Sequence, residues 1–394
     1  MPWQDSGPVE QRLEFVREYL RRRHTMTELA RLFGISRKTG YKWVGRYDKA
    51  GKLGLADRSR ARETQDHATP RNVVEALLAA RDDYPTWGAK KLIPLLVRLH
   101  PSLEFPCVST ATDILKREGR IAPRTRSPRA KRLPSNIRPV CGPNSTWCMD
   151  HKGQFRLGNG VLCFPFTLTD ASSRKLLRCD AGTGVETAPA QRSLDRAFRE
   201  FGLPSFARSD NGVPFGVPNG GIGISSLAVW LLELGVIPEY INAGHPQENG
   251  SHERMHRTLK EETTIPPAHS LPEQQRRFDA FVEEFNSIRP HEALGQETPD
   301  SHYCASLRKM PDSIAPAEYA RHVEVRTVDV KGYIKWRGEA HFLATALAGR
   351  NLGIEPIADG LSRVQFLNVQ VGMIDEPEAL FIPNPDWHLP QQLL

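Results

Sequence analysis

Along the first 120 residues, apolar positions recur every three or four residues, the spacing of helices with one buried face. Leu13, Val16 and Leu20 carry the pattern over residues 8–24. Thr25 reads as an N-cap with Glu28 as its capping-box partner, and Leu29, Ala30 and Phe33 form the stripe of a short helix. Gly34 breaks that helix where a left-handed residue is needed. Ser36 caps the next one, which buries Ile35 and either Trp43 or Val44. Two short helices, a glycine turn and a second basic helix predict a helix-turn-helix. Its second helix offers Arg37, Lys38, Tyr41, Lys42 and Arg46 to a major groove, with a plain three-helix packing module as the alternative. Residues 51–70 are polar and turn-rich and read as a linker. Residues 71–120 predict two more helices, broken between Pro85 and Gly88, and a third N-capped by Ser109 or Thr110. This is a second DNA-contacting helical unit or, alternatively, a spacer.

From residue 142 the rhythm changes to alternation. Strands are predicted in WCMDHKGQF, VLCFPFTLTD, KLLRCDAGTG, PSFARSD and VIPEYINAG. Helices are predicted in APAQRSLDRAFREFG, SSLAVWLLELG, GSHERMHRTLKEE and LPEQQRRFDAFVEEFNSIRP. That order points to a mixed sheet with helices on its faces. Residues 301–320 read as a connector. The short alternating runs that follow predict a small β-barrel, and the last residues, NPDWHLPQQLL, a loose tail. The expected fold class is therefore multidomain: all-α helix-turn-helix units, a central α/β core with a mixed sheet, and a C-terminal small β-barrel. The expected boundaries are 1–60, 61–120, a linker at 121–141, a core at 142–300, and 301–394 for connector and barrel.

At 39% hydrophobic and 25% charged, the chain is composed like a soluble globular protein, and no apolar run approaches the roughly 20 residues of a membrane span. The opening residues lack the apolar core of a signal peptide, so the expected compartment is the cytoplasm, with no membrane partner. Cys107, Cys141, Cys148, Cys163, Cys179 and Cys304 form no CxxC pair, which argues against structural zinc and for reduced thiols. The net charge of +7 is unevenly placed. Residues 1–141 hold 29 Lys/Arg against 15 Asp/Glu, and residues 142–394 hold 24 against 31. A basic arm for a polyanion and an acidic body with another task follow from that split. Residues 121–141 contain Arg124, Arg126, Arg129, Lys131 and Arg132 among four prolines and no acid. Such a segment tracks phosphates by releasing counterions, or acts as a passive linker.

Three acids stand out in the acidic body. Asp150 lies in an alternating run, Asp210 where a strand meets the turn at Asn211-Gly212, and Glu253 where a turn meets a helix. Three carboxylates brought to one point would offer the oxygen ligands that Mg²⁺ and Mn²⁺ prefer. Glu248 competes with Glu253 for the third place, and Asp170 reads as a structural cap. His256, Arg257 and Lys260 follow Glu253 at i+3, i+4 and i+7 and form a basic helix face suited to a DNA backbone, or else simple Glu–Arg helix pairing. Asn286, Arg289 and His291 read as buttresses of the core.

These segments together resemble a bacterial insertion-sequence transposase of the DDE type, with a retroviral-integrase-like catalytic core and an N-terminal helix-turn-helix. The resemblance rests on Trp147 to Asp150 (W-x-x-D), SDNG at 209–212, HPQENGSHERMHRTLK at 245–260 and FNSIRPHEALGQETPDSHY at 285–303. It implies an RNase H-like core in which Asp150, Asp210 and Glu253 are the catalytic and metal-binding residues. It selects Glu253 over Glu248 and makes Lys260 the contact to the DNA end. It implies two Mg²⁺ per site, with Mn²⁺ able to substitute. It implies double-stranded DNA partners, both transposon ends and target, and a homo-oligomer on DNA, a dimer or higher. The implied reaction cleaves inverted-repeat ends to expose 3′-hydroxyls and joins them to target DNA. A catalytically silent regulator derived from a transposase and an RNase H-type nuclease are the alternatives. One departure is the 42 residues between Asp210 and Glu253, longer than usual for the family, with the surplus in a glycine-rich loop that could be mobile and close over DNA.

Overall fold

The computed structural model describes residues 7–57, 68–121, 138–217, 222–241, 249–385 and 387. The chain divides into two compact units, Met1–Ala68 and Thr69–Leu394.

The first unit is three helices, α1 (Pro8–Leu20), α2 (Met26–Leu32) and α3 (Arg37–Ala50), closed by a 3₁₀ turn at Gly51–Leu55. The expected capping box forms: Thr25 accepts from the Glu28 amide, and the Glu28 carboxylate accepts from the Thr25 amide at 2.8 Å. Gly34 takes φ +63°, the left-handed turn between α2 and α3, and Ser36 caps α3. Both Trp43 and Val44 are buried, with Phe15, Val16, Met26, Leu29 and Leu55. Leu55 belongs to this core, so the predicted linker starts later than residue 51. Gly54 sits where a Cβ would meet the Arg46 carbonyl, so the 3₁₀ turn can fold back on α3 only with glycine there.

The second unit begins with α4 (Arg71–Asp83), α5 (Ala89–Leu99) and α6 (Val108–Arg117). Their core is Leu77, Trp87, Leu92, Leu96, Ala111 and Leu115. The N-cap of α6 is Cys107, with no side-chain cap bond, rather than Ser109 or Thr110. Those two hydroxyls instead face the Cys107 sulfur at 3.1 and 3.3 Å.

The central sheet has the order β5-β4-β1-β6-β7. Its strands are β1 (Thr146–His151), β4 (Phe166–Asp170), β5 (Leu176–Asp180), β6 (Phe206–Ser209) and β7 (Ile237–Tyr240). The small ribbon β2 (Phe155–Arg156) and β3 (Leu162–Cys163) interrupts the connection from β1 to β4. Strands β1, β4 and β5 run antiparallel, and β6 and β7 run parallel to β1. Alternation along β1 sends Trp147 and Met149 into one core, against α7 (Thr187–Phe201) and α8 (Ser226–Glu233). Asp150 belongs to the opposite face, covered by α9 (Gly250–Thr263) and α10 (Leu271–Glu283). After α10 the chain makes one π turn, Glu284–Ile288. There the Asn286 amide accepts from the Leu176 amide and donates to the Leu176 carbonyl, each at 2.9 Å, completing β5 as a strand would.

The C-terminal part is a five-stranded antiparallel sheet of order β14-β13-β12-β11-β8. Its strands are β8 (Glu324–Thr327), β11 (Asn351–Ala358), β12 (Leu361–Phe366), β13 (Val369–Asp375) and β14 (Leu380–Pro383). A separate ribbon joins β9 (Tyr333–Trp336) to β10 (Glu339–Phe342). The expected small barrel is therefore an open sheet among the described residues: no ladder joins β8 to β14. Two further expectations differ. Trp387 in the predicted loose tail is 3% exposed, and its indole donates to the Ile222 carbonyl at 3.0 Å. Within the glycine-rich loop, Ile222 and Ile224 pack with Val364, Phe366 and Leu352 of the C-terminal sheet. The extra residues after Asp210 thus include an apolar plug for the C-terminal sheet. Helix α8 serves both sides, with Leu227 and Leu231 in the central core and Val229 and Leu232 beneath that sheet. A helix buried on two faces has to be apolar nearly all round, as SLAVWLLE is.

Candidate active site

Strands β1 and β6 set the first two acids side by side. Their parallel register pairs Trp147 with Ala207 and Cys148 with Arg208, and carried two residues on it brings Asp150 level with Asp210. Asp210 ends β6 in an Asx turn, its carboxylate accepting from the Gly212 amide at 3.1 Å. Glu253 lies exposed in the first turn of α9, whose N-cap is Asn249, at the positive end of the helix dipole. Glu248, the competing acid, falls outside the described residues.

Asp150 feels the other two carboxylates. Partial burial pushes Asp150 up to about 7, with Asp210 adding the next largest share and Glu253 a smaller one. Asp150 is half-buried and Asp210 and Glu253 are exposed. Among the described residues the side chains whose donor atoms come within 4.8 Å of one another are Asp150, His252 and His256, so the three acids face one edge without closing on one point. Oxygen donors are what Mg²⁺ and Mn²⁺ take. The donor set therefore fits the metal that the resemblance implies.

Behind Asp150 lies a column of polar side chains that the sequence reading did not assemble. Thr167 and Thr169 of β4 face His252 and His256 of α9. His256 stands 3.8 Å from the Asp150 carboxylate. It was expected on an exposed basic face with Arg257 and Lys260, and here the structure differs. Arg257 and Lys260 are exposed, whereas His256 is 7% exposed and buried on the strand side beside His252, one turn earlier. Burial pushes His252 down to about 3 and His256, with His252 and Lys152 nearby, to about 2. Both rings are neutral near pH 7, so His256 is not a cation for DNA. The signal that could have found them is the pair of histidines four apart flanking Glu253.

The start of β1 is braced independently of the acids. Asn144 Oδ1 accepts from the Trp147 indole at 3.0 Å and from the Tyr303 hydroxyl at 2.9 Å. Asp170 accepts from the Asn144 and Ser173 amides, a structural cap as expected. Arg208 and Glu239 form a buried pair at 2.7 Å on the neighbouring strands β6 and β7. Arg289 pairs with Glu262 at 2.8 Å and lies over the Trp87 ring, and His291 faces the Phe285 carbonyl at 3.2 Å. A cleft of about 810 Å³ opens elsewhere, lined by His151, Phe166, Asp180 and α7 residues including Arg192 and Arg196. None of the three acids lines it, so the carboxylate chemistry is not located there.

On α3, Arg37, Lys38, Tyr41 and Lys42 are exposed. Arg46 is half-buried, its guanidinium over the Trp43 ring at 5.1 Å, with the Lys42 ammonium over the same ring at 4.7 Å. Arg124, Arg126, Arg129, Lys131 and Arg132 lie outside the described residues. Cys148, Cys163 and Cys179 are buried and all six thiols are free. No helix among the described residues is long and apolar enough to cross a membrane.

Adjacent parallel strands ending in carboxylates, with a third acid on the covering helix, define an integrase-like core. Comparison with known proteins agrees. Residues 234–299 match an integrase core domain, 11–63 a helix-turn-helix domain, and 323–379 the C-terminal domain of IS481 family transposases. The core match includes Glu253 but neither Asp150 nor Asp210. An insertion element IS407 protein of Burkholderia multivorans is 28% identical over 184 residues, 45% of this chain. The chain spans 60% of that relative's length. These matches bear out the resemblance to insertion-sequence transposases over the segments they cover. Among solved structures, the simian T-cell lymphotropic virus intasome in complex with a PP2A regulatory subunit is 16% identical, covers 74% of this chain and 97% of its own, and has a TM-score of 0.37. The HTLV-2 integrase catalytic core domain in complex with magnesium is 11% identical, covers 41% of this chain and 97% of its own, and has a TM-score of 0.31.

Proposed function

We propose that the protein is a DNA transposase that binds the inverted-repeat ends of its own insertion sequence, cleaves them to expose 3′-hydroxyls and joins those ends to target DNA. The observation that carries this reading is the register of β1 and β6, which carries on to bring Asp150 level with Asp210, with Glu253 in the first turn of the covering helix α9. Asp150, Asp210 and Glu253 would hold two Mg²⁺, or Mn²⁺ in their place. Divalent cations so held supply the Lewis acidity that phosphoryl transfer needs at its attacking and leaving oxygens. Glu253, in the first turn of α9, closes the site from the helix side. Arg257 and Lys260, exposed further along α9, hold the DNA backbone near the scissile phosphate. Helix α3 reads the end sequence through Arg37, Lys38, Tyr41, Lys42 and Arg46, and the basic segment at 121–141 follows phosphates. Joining two ends to one target needs two sites, so a dimer or larger assembly on DNA follows.

A duplex carrying the element's end and its flank, incubated with Mg²⁺, tests this reading. Wild type should nick at the 3′ end of the element, and Glu253→Gln should not. Tight end binding by wild type without cleavage under Mg²⁺ or Mn²⁺ would instead identify a catalytically silent regulator. Cleavage of RNA–DNA hybrid in preference to end duplex would point to an RNase H-type nuclease.

A further inference from the structure

The tautomers of the two buried histidines follow from counting protons. Thr167 Oγ1 has three partners: the Asp150 carbonyl at 3.1 Å, His252 Nε2 at 2.8 Å and His256 Nε2 at 2.6 Å. A carbonyl only accepts, so the single hydroxyl proton goes to Asp150. Both imidazoles must then donate from Nε2 to the lone pairs of the hydroxyl oxygen. In neutral His252 the other nitrogen, Nδ1, accepts from Thr169 Oγ1 at 2.8 Å, and the ring is satisfied. In neutral His256, Nδ1 keeps its lone pair and faces Asp150 Oδ2 at 3.8 Å. With Asp150 ionised, two acceptors thus confront each other beside the half-buried end of β1. Atoms each about 2.0–2.2 Å from one cation stand about 3–4 Å apart, so this separation suits two ligands of a shared ion.

We infer that His256 Nδ1 is a ligand of the cation held by Asp150, giving one metal position a nitrogen donor beside its carboxylates. This rests on the carboxylate reading of the site. Asp150, His252 and His256 bring donor atoms within 4.8 Å of one another. Both nitrogens of His252 are already engaged, so it acts as a positioning residue: it fixes Thr167, which fixes the His256 ring. A nitrogen donor also changes the choice of metal. Imidazole is a ligand for first-row transition ions, Mn²⁺ the weakest of the series, whereas Mg²⁺ takes oxygen and keeps its waters. This position should therefore favour Mn²⁺ over Mg²⁺ more than an all-carboxylate position would.

Pulsed EPR of Mn²⁺ bound to the full chain is the test, with Asp210→Asn and His256→Gln beside wild type. Gln can still donate to Thr167 but has no imidazole nitrogen. Wild type should show the hyperfine coupling of a directly bound imidazole nitrogen, changing from the ¹⁴N to the ¹⁵N pattern when histidine alone is ¹⁵N-labelled. That labelling leaves the fold untouched. His256→Gln should lose the coupling and weaken Mn²⁺ binding about tenfold or more, with a smaller change for Mg²⁺. Mn²⁺ bound in an Asp210-dependent way without nitrogen coupling would overturn the assignment of His256 and leave the carboxylate site standing. Coupling that persists in a folded His256→Gln would also overturn it. Mn²⁺ binding no tighter than that of Asp210→Asn would overturn the carboxylate reading, and this inference with it.

Discussion

The three-helix units α1–α3 and α4–α6 have similar patterns along the chain and different uses of their cations. In the first, Arg37, Lys38 and Lys42 of α3 are exposed and have no carboxylate partner among the described residues. In the second, cations are engaged by the body that carries the three acids. Lys91 donates to the Pro290 carbonyl at 2.6 Å, Arg98 to the Ile288 carbonyl at 2.6 Å, and Lys90 pairs with Glu292. Trp87, 1% exposed, receives the Arg289 guanidinium over its ring. A helix-turn-helix pattern therefore predicts a fold, and which surface the cations serve decides whether it is free to read DNA. Helices α4–α6 brace the body, and the exposed cations of α3 make it the unit proposed above to read sequence.

The largest expected effect comes from breaking the brace. Arg289→Ala leaves the mostly covered Glu262 carboxylate with the Thr86 hydroxyl but no cation and should cost up to about 3 kcal/mol. Calorimetry should show the loss in the Thr69–Leu394 unit, with the helix-turn-helix transition unmoved. An unchanged main transition would mean that α4–α6 is only loosely attached. Next comes DNA affinity. The double variant Arg37→Ala/Lys38→Ala should weaken end binding and lower the slope of log K against log salt by about two, with no change in melting. Lys116→Ala/Arg117→Ala on α6 should change that slope by less, and equal changes would cancel the distinction between the units.

A pH effect sharpens the bracing claim. Burial lowers Lys91 to about 8 from 10.5. Between those values the unfolded chain binds more protons than the folded one, so this residue makes stability rise with pH. The stability of wild type relative to Lys91→Met, from chemical denaturation, should therefore increase from pH 8 to pH 10. A flat or falling difference would place Lys91 in water rather than against the body. The smallest effect is local: Ser36→Ala should cost about 1 kcal/mol in the helix-turn-helix transition alone.

Much of this was legible from local chemistry. The Thr25/Glu28 capping box, the Gly34 turn and the Ser36 cap are decided within a few residues, and they form as read. The strand and helix order of the core followed from its change of period, and the Asp170 cap from its turn. What failed to show depends on contacts far apart in sequence. Spacing put His256 on a helix face with Lys260, but only the packing of α9 against Thr167 reveals which face is inward. The glycine-rich loop read as free because nothing local marks Ile222 and Ile224 as seats for a sheet more than a hundred residues on. The expectation of a barrel shares that cause: alternation predicts strands, whereas closure depends on which edges meet.

The central claim is that Asp150, Asp210 and Glu253 make one metal-dependent site for DNA joining. The most direct measurement is strand joining of an element-end duplex to supercoiled plasmid with Mg²⁺, wild type beside Asp210→Asn. Joined products from wild type and none from the folded variant are the predicted result. Joining by Asp210→Asn at the wild-type rate, or none by wild type on DNA it binds tightly, would contradict the claim.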